Sequence, residues 1–310
     1  MSSMAEKKKF NYGGQAVIEG VMIRGRTSVV TAVRKPSGDI SLNVKPMPST
    51  YTSRARRIPF IRGVVVLIEA MVIGIQSLLY SANVSLEEEE EKIPTKAIWG
   101  MMIVSAALVV LLFFIAPLFL TSWLSTNISN SLVFMIIEGV IRIVIFIAYI
   151  KVISYMPDIK RVFTYHGAEH KAVNAYEAGV PMEINAIKEY SRLHVRCGGS
   201  FLFLVLIIAI IVFTFVGKQD MWLMVVSRIV LIPVILGLGY ELMHFGARHA
   251  QNWFMKIILA PGLWLQWMTT GEPDNTQLEV AIAAVNKAVE IDQAEEAETA
   301  AATADKPSGP

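Results

Sequence analysis

The chain has 310 residues, 54% hydrophobic and only 17% charged, and its positive mean hydropathy comes from long apolar blocks rather than from amphipathic spacing. That excludes an ordinary water-soluble domain and predicts a mainly α, polytopic helical membrane protein, with the lipid bilayer as its first partner. A formal net charge of +2 gives no reason to expect nucleic acid as a partner, and the single cysteine, Cys197, rules out an internal disulfide.

The basic opening, MSSMAEKKKFNYGGQ, has no apolar run behind it and so lacks the pattern of a secretory signal peptide. Residues 1–60 read as a small β-rich region. Residues 28–34 and 40–45 are β-rich and flank Lys35-Pro-Ser-Gly-Asp39, where proline sets a turn dihedral and Gly38 can take positive φ, so they predict a hairpin. Residues 13–25 combine close-spaced glycines with Gln15 and Glu19 but lack the spacing of a dinucleotide loop. They are read as a backbone-tight turn, either beside a site or for turn geometry alone.

Residues 61–290 read as a membrane-embedded helical domain. Its first apolar block, 63–82, carries Glu69 and Gln76 on one helical face. A carboxylate at membrane depth costs ~2.5 kcal/mol or more unless it meets protein or water, so Glu69 is expected to point inward. The acidic run at 86–92 is read as solvated. Four further blocks, near 97–123, 132–153, 201–216 and 221–240, approach the ~30 Å hydrocarbon thickness at about 1.5 Å per residue. Glu138 and Arg142, four apart, are placed to neutralise one another; Arg228 has no sequence-local partner, and Pro233 is expected to bend the last block.

Positive charge sets the orientation. The loop 154–200 is rich in Lys and Arg, whereas the short connections near 124–131 and 217 are nearly free of them, so the long loop is assigned to the cytoplasm. Arg54, Arg56, Arg57 and Arg62 call for the same side. Both assignments hold if block 63–82 is re-entrant or interfacial, which leaves four spans with both termini cytoplasmic; a fifth span with an outside N-terminus is the alternative. Farther on, residues 253–264 are apolar, Pro/Gly-broken and Trp-rich, as an interfacial segment would be. Thr276 and Glu279 form a capping box ahead of a helix with Leu278, Ile282, Val285 and Val289 on one face, and residues 291–310 read as a disordered tail.

The chemistry concentrates in Tyr165-His-Gly-Ala-Glu-His-Lys171. His166 and His170 share a helical face and can reach one divalent ion, while Glu169 can take a proton from metal-bound water. Gly179 and Pro181 end that helix, predicted from about His166 to Ala178, and Asn174 and Glu177 could orient the imidazoles. His194, Cys197 and Glu241 fall at the same depth. The preferred ligand set is His166, His170 and Glu241, which leaves one zinc position open; His194 and Cys197 could instead complete a closed site, and Cys197 also reads as an inert buried thiol.

The segments Gln15-Ala-Val-Ile-Glu-Gly-Val-Met-Ile-Arg-Gly25, Tyr165–Lys171 with Asn174, Tyr176 and Glu177, His194-Val-Arg-Cys-Gly-Gly-Ser-Phe201, Tyr240-Glu241, Pro261-Gly-Leu-Trp-Leu-Gln266 and Thr269-Thr-Gly-Glu-Pro273 resemble the bacterial YqhQ family of membrane proteins. The resemblance implies a bacterial inner-membrane location and a metal-dependent enzyme, and departs from the family pattern at Gly199, where threonine is expected. The expected function is therefore a membrane hydrolase with zinc as its most suitable ion and Glu169 as base, acting on a peptide, lipid headgroup or isoprenoid-like substrate. The alternative is a non-enzymatic protein with a structural or sensory metal site, or a transporter with a polar path past Glu69, Glu138, Arg142 and Arg228. The oligomeric state is left unassigned.

Overall fold

A computed structural model describes residues 10–47, 58–86, 95–124, 128, 130–249 and 252–304. The acidic residues 87–91, Lys92 and Arg54, Arg56 and Arg57 lie outside the described residues. Four strands come first, β1 (Gly13–Val17), β2 (Gly20–Arg24), β3 (Ser28–Arg34) and β4 (Ile40–Pro46), paired in sequence order as one antiparallel meander. The expected hairpin is β3–β4, with Arg34 opposite Ile40 and Gly38 at φ 95°. The glycine-rich stretch before it is a second hairpin rather than a lone turn, with Gly13 opposite Arg24 and Val17 opposite Gly20.

Side chains alternate across this sheet, and both faces are buried. Val17, Met22, Val29 and Val33 pack against Ile73 of α1 (Ile61–Ser85). Val21, Ile23, Val30 and Ala32 pack against α5 (Pro157–Ala178) and α11 (Asn275–Ala304), chiefly on Tyr165, Ala168, Leu278 and Ala281. Helix α5 begins well ahead of His166, at Pro157, because a first-turn proline forgoes no helical hydrogen bond. It stops at Gly179, left-handed at φ 75°, as the stop signal predicts, and the short α6 (Ile184–Lys188) follows.

Helix α11 corrects two expectations. Its capping box is two residues earlier than Thr276 and Glu279: the Gln277 N–H donates to Asp274 Oδ1 at 2.9 Å and the Asp274 N–H to Gln277 Oε1 at 3.1 Å. Glu279 instead accepts from Arg34. The tail predicted as disordered from 291 continues this helix to Ala304. Ala and Glu carry high helix propensity without an apolar stripe, and Asp292, 5% exposed, anchors the segment by accepting from the Tyr12 hydroxyl at 2.9 Å and the Arg26 N–H at 2.9 Å.

Four helices are long and apolar enough to cross a membrane: Ile61–Ser85, Trp99–Leu124, Ser131–Ile153 and Gly198–Val216. The block expected at 221–240 is not one straight span. It is α8 (Met221–Val230) and α9 (Ile232–Arg248), bent by 46° at a break ahead of Pro233, and Glu241 lies inside α9 rather than at its end. Helix α1 is unbroken, yet Gly74, Ser77, Tyr80 and Ser81 meet the sheet at Gln15, Thr31, Ser41 and Ile18. Residues 61–72 alone measure about 18 Å, well short of the ~30 Å hydrocarbon layer.

The membrane helices are joined by charge. Between α4 (Ser131–Ile153) and α8, Glu138 accepts from both Arg142 and Arg228, and all three side chains are buried. The two guanidinium groups lie 4.9 and 4.7 Å from the centroid of Phe213 on α7 (Gly198–Val216). The second span is α2 (Thr95–Val110), a π-helical turn (Leu111–Ile115) and α3 (Ala116–Leu124). Pro117 has no N–H to give the Phe113 carbonyl four residues back, and Arg142 Nε donates to that carbonyl at 3.0 Å. Helix α10 (Trp253–Thr269) runs through Pro261 unbroken, correcting the predicted break, while Trp253, Trp264 and Trp267 face outward as interfacial tryptophans do.

Candidate metal centre

Helix α5 is held on one side by the sheet and on the other by residues 269–273. Gly167 makes that second contact possible: a Cβ there would lie 2.0 Å from the Gly271 carbonyl oxygen. The Gly271 N–H in turn donates to the Phe163 carbonyl at 2.7 Å. The crossing brings the Thr269 carbonyl to His166 Nδ1 at 3.0 Å. His170 Nδ1 lies 2.6 Å from the Arg192 carbonyl, in a loop that Asn174 clasps by donating to the Ser191 and Leu193 carbonyls.

These contacts fix the chemistry of both rings. A carbonyl oxygen only accepts, so each Nδ1 carries the proton and each Nε2 presents a lone pair. Burial pushes the His166 imidazolium down in pKa, and pushes His170 down to about 3 with His166 adding to the effect, so both rings are neutral. The ring centroids are 4.4 Å apart. His166 Nε2 is 3.2 Å from Cys197 Sγ, at the residue capping α7. The ligand atoms of His166, His170 and Cys197 all lie within 4.8 Å of one another, and among the described residues no fourth His, Cys, Asp or Glu joins them.

This donor set suits a thiophilic divalent ion: two imidazole nitrogens and one sulfur, with outer hydrogen bonds orienting each ring. Burial raises the Cys197 thiol to about 12, with Glu169 adding and the Gly199 and Ser200 amides offsetting, so ion binding would release its proton. Glu169 Oε2 sits 3.5 Å from His170 Nε2, outside the three-donor group. Burial pushes its carboxyl up to about 8, against the pull of the Gly14 N–H of β1. The glycine-rich stretch thus does lie beside the site, and a Cβ on Gly14 would come within 3.0 Å of Glu169 Cγ.

The remaining predicted ligands are placed differently. His194 is one step out: its ring centroid is 5.8 Å from that of His170, and its Nε2 faces Glu177 Oε2 at 3.6 Å. The preferred third ligand, Glu241, is not brought to the histidines; its carboxylate is bound by Arg62 and the Phe60 N–H. Depth in the membrane placed Glu241 level with the site, but α9 turns it toward α1. Sequence reasoning missed Gln266, which accepts from the His194 N–H at 2.9 Å and donates to the His194 carbonyl at 2.8 Å and to Ser200 Oγ at 2.6 Å. It also missed the Thr269 and Arg192 carbonyls, which no side-chain pattern announces. At Gly199 a Cβ would meet Cys197 Sγ at 3.5 Å and His166 Cε1 at 4.0 Å, ordinary van der Waals contact with the same ligands.

Gly167 tests this architecture. Gly167→Ala is expected to displace residues 269–273 and with them the Thr269 carbonyl, lowering zinc affinity about 10- to 100-fold, the usual cost of losing an outer-shell partner. Competition with a chromogenic chelator measures it; an unchanged affinity would show that the crossing does not position His166.

A membrane-helix bundle carrying a small β-sheet module, with a His/His/Cys group where the two meet, is the class of protein these features define. A family model described as "Protein of unknown function (DUF1385)" matches residues 58–291. The chain is 35% identical over 297 residues to "Uncharacterized protein YqhQ" of Bacillus subtilis (strain 168), covering 91% of this chain and 93% of that protein. The chain belongs to the YqhQ, or DUF1385, family. No solved structure matches it.

Proposed function

We propose that the chain is a metal-dependent hydrolase of the bacterial inner membrane, with its site at the cytoplasmic face. The observation that carries this reading is the three-donor group with a buried carboxylate beside it. Three protein ligands and one free position is the catalytic pattern for zinc, whereas structural zinc takes four protein ligands. A divalent ion held by His166, His170 and Cys197 would supply a Lewis acid for a water nucleophile. The positive charge of such an ion would draw the Glu169 carboxyl back to its ionised form, and Glu169 Oε2 would then take the proton of the attacking water and return it to the leaving group. Gly14 fixes that carboxylate through its N–H, and Gln266 fixes the segment that leads from His194 to Cys197. The Arg and Lys residues of loop 154–200 support the cytoplasmic placement.

The competing reading is a closed, non-enzymatic site completed by His194, favoured by the closeness of its ring to His170. Cobalt(II) substitution separates the two. The open site is expected to give a thiolate charge-transfer band and ligand-field bands that shift when azide is added, in wild type and in Glu169→Gln alike. Bands that ignore azide in wild type and change only in His194→Ala would establish the closed site instead.

A further inference from the structure

Helices α7, α9 and α10 enclose a cleft of about 350 Å³, within the range of small-molecule sites. Phe203, Ile207 and Ile211 of α7 face Met243 of α9 and Ile257 of α10 across it. Among the described residues Ser200 is the one polar side chain on its wall. Ser200 is also where the cleft comes nearest the metal centre: it lies in the first turn of α7, three residues after Cys197, and its hydroxyl accepts from Gln266, which clasps His194. From Ser200 to Ile211 the α7 wall runs about 16 Å. At the far end Ile211 and Ile257 are more than half exposed, at 51% and 59%, so the cleft opens sideways on the flank of a membrane-length helix.

We infer that this cleft seats the hydrocarbon tail of a single-chain amphiphile, an acyl or prenyl compound, whose polar head reaches the His166–His170–Cys197 centre. The inference rests on the hydrolase reading and names its substrate class. An apolar cleft that opens on the flank of α7 and ends at the Ser200 hydroxyl, three residues after Cys197, matches a molecule with one long tail and one reactive head. A soluble peptide would leave the wall unsatisfied, and a two-tailed lipid would need a second channel at Ser200.

The test uses the full-length, zinc-loaded protein in lipid nanodiscs with two probes, dodecanehydroxamate and butanehydroxamate, which share a metal-seeking head and differ in tail. Wild type is compared with Ile207→Trp and, on the opposite wall, Met243→Trp, with bound zinc measured in each. The long probe is expected to bind wild type at least about tenfold tighter than either tryptophan variant, and the short probe equally to all three, with zinc unchanged. Bilayer partitioning favours the long probe equally in every protein and cancels in that comparison. Equal binding of the long probe to wild type and both zinc-replete variants would overturn the cleft assignment while leaving the metal centre standing. Failure of both probes to bind zinc-loaded wild type would overturn it together with the open-site reading, and protein that takes up no zinc would remove the hydrolase reading itself.

Discussion

Cys197→Ser and His170→Ala proteins, purified beside wild type, are expected to lose zinc affinity by at least about a hundredfold, since even outer-shell losses cost 10- to 100-fold. The expectation is specific because the donors come from separate elements. Two lie on α5 and one on the cap of α7, so no neighbouring group among the described residues substitutes for a lost sulfur. His194→Ala and Glu241→Gln are the informative controls: both should keep zinc, because His194 faces Glu177 and Glu241 faces Arg62. Metal-to-protein ratios after dialysis decide it. Full zinc in Cys197→Ser, or its loss in Glu241→Gln, would transfer the site to other residues.

Glu138→Ala is expected to destabilise the membrane bundle by about 3–5 kcal/mol, the range for leaving a buried charge uncompensated. Two arginines lose their carboxylate at once. Arg142 keeps the Phe113 carbonyl and Arg228 the Met224 carbonyl, neither of which neutralises a cation. Replacing Glu138, Arg142 and Arg228 together by methionine should recover most of the loss, because desolvating an ion network offsets much of its attraction. Thermal unfolding in detergent reads both. A Glu138→Ala variant that melts with wild type would mean that water or lipid headgroups reach the arginines.

What the sequence made legible was local. The β3–β4 hairpin, the α5 stop at Gly179 and the Glu138–Arg142 pair each depend on residues a few positions apart. The histidine pair was legible for the same reason, and Cys197 could be named because cysteine has few roles. Arg228 lacked a partner on paper because Glu138 is 90 residues away. Glu241 misled because charge bias reports depth along the membrane normal and says nothing about which way a helix faces. The tail after 291 misled because an apolar stripe was required of it, while its anchor is one buried aspartate. The carbonyls that set both imidazole tautomers belong to the backbone, and only the glycines at 167 and 271 hinted that the chain passes close there.

The Tyr12–Asp292 bond joins residues 280 apart and carries a consequence for biosynthesis. Strands β1 to β4 are made first, yet one face of their sheet is completed by α5 and the other half of that cover, α11, is made last. At about 5–20 residues per second, the nascent strands wait on the order of tens of seconds for their partner. During that interval Val21, Ile23 and Val30 lack the helix that completes their cover, which leaves apolar sheet surface open to aggregation. A chain cut short before Asn275 would keep the α1 and α5 contacts but leave the part of the sheet that α11 covers, chiefly β3 and β2, open and aggregation-prone.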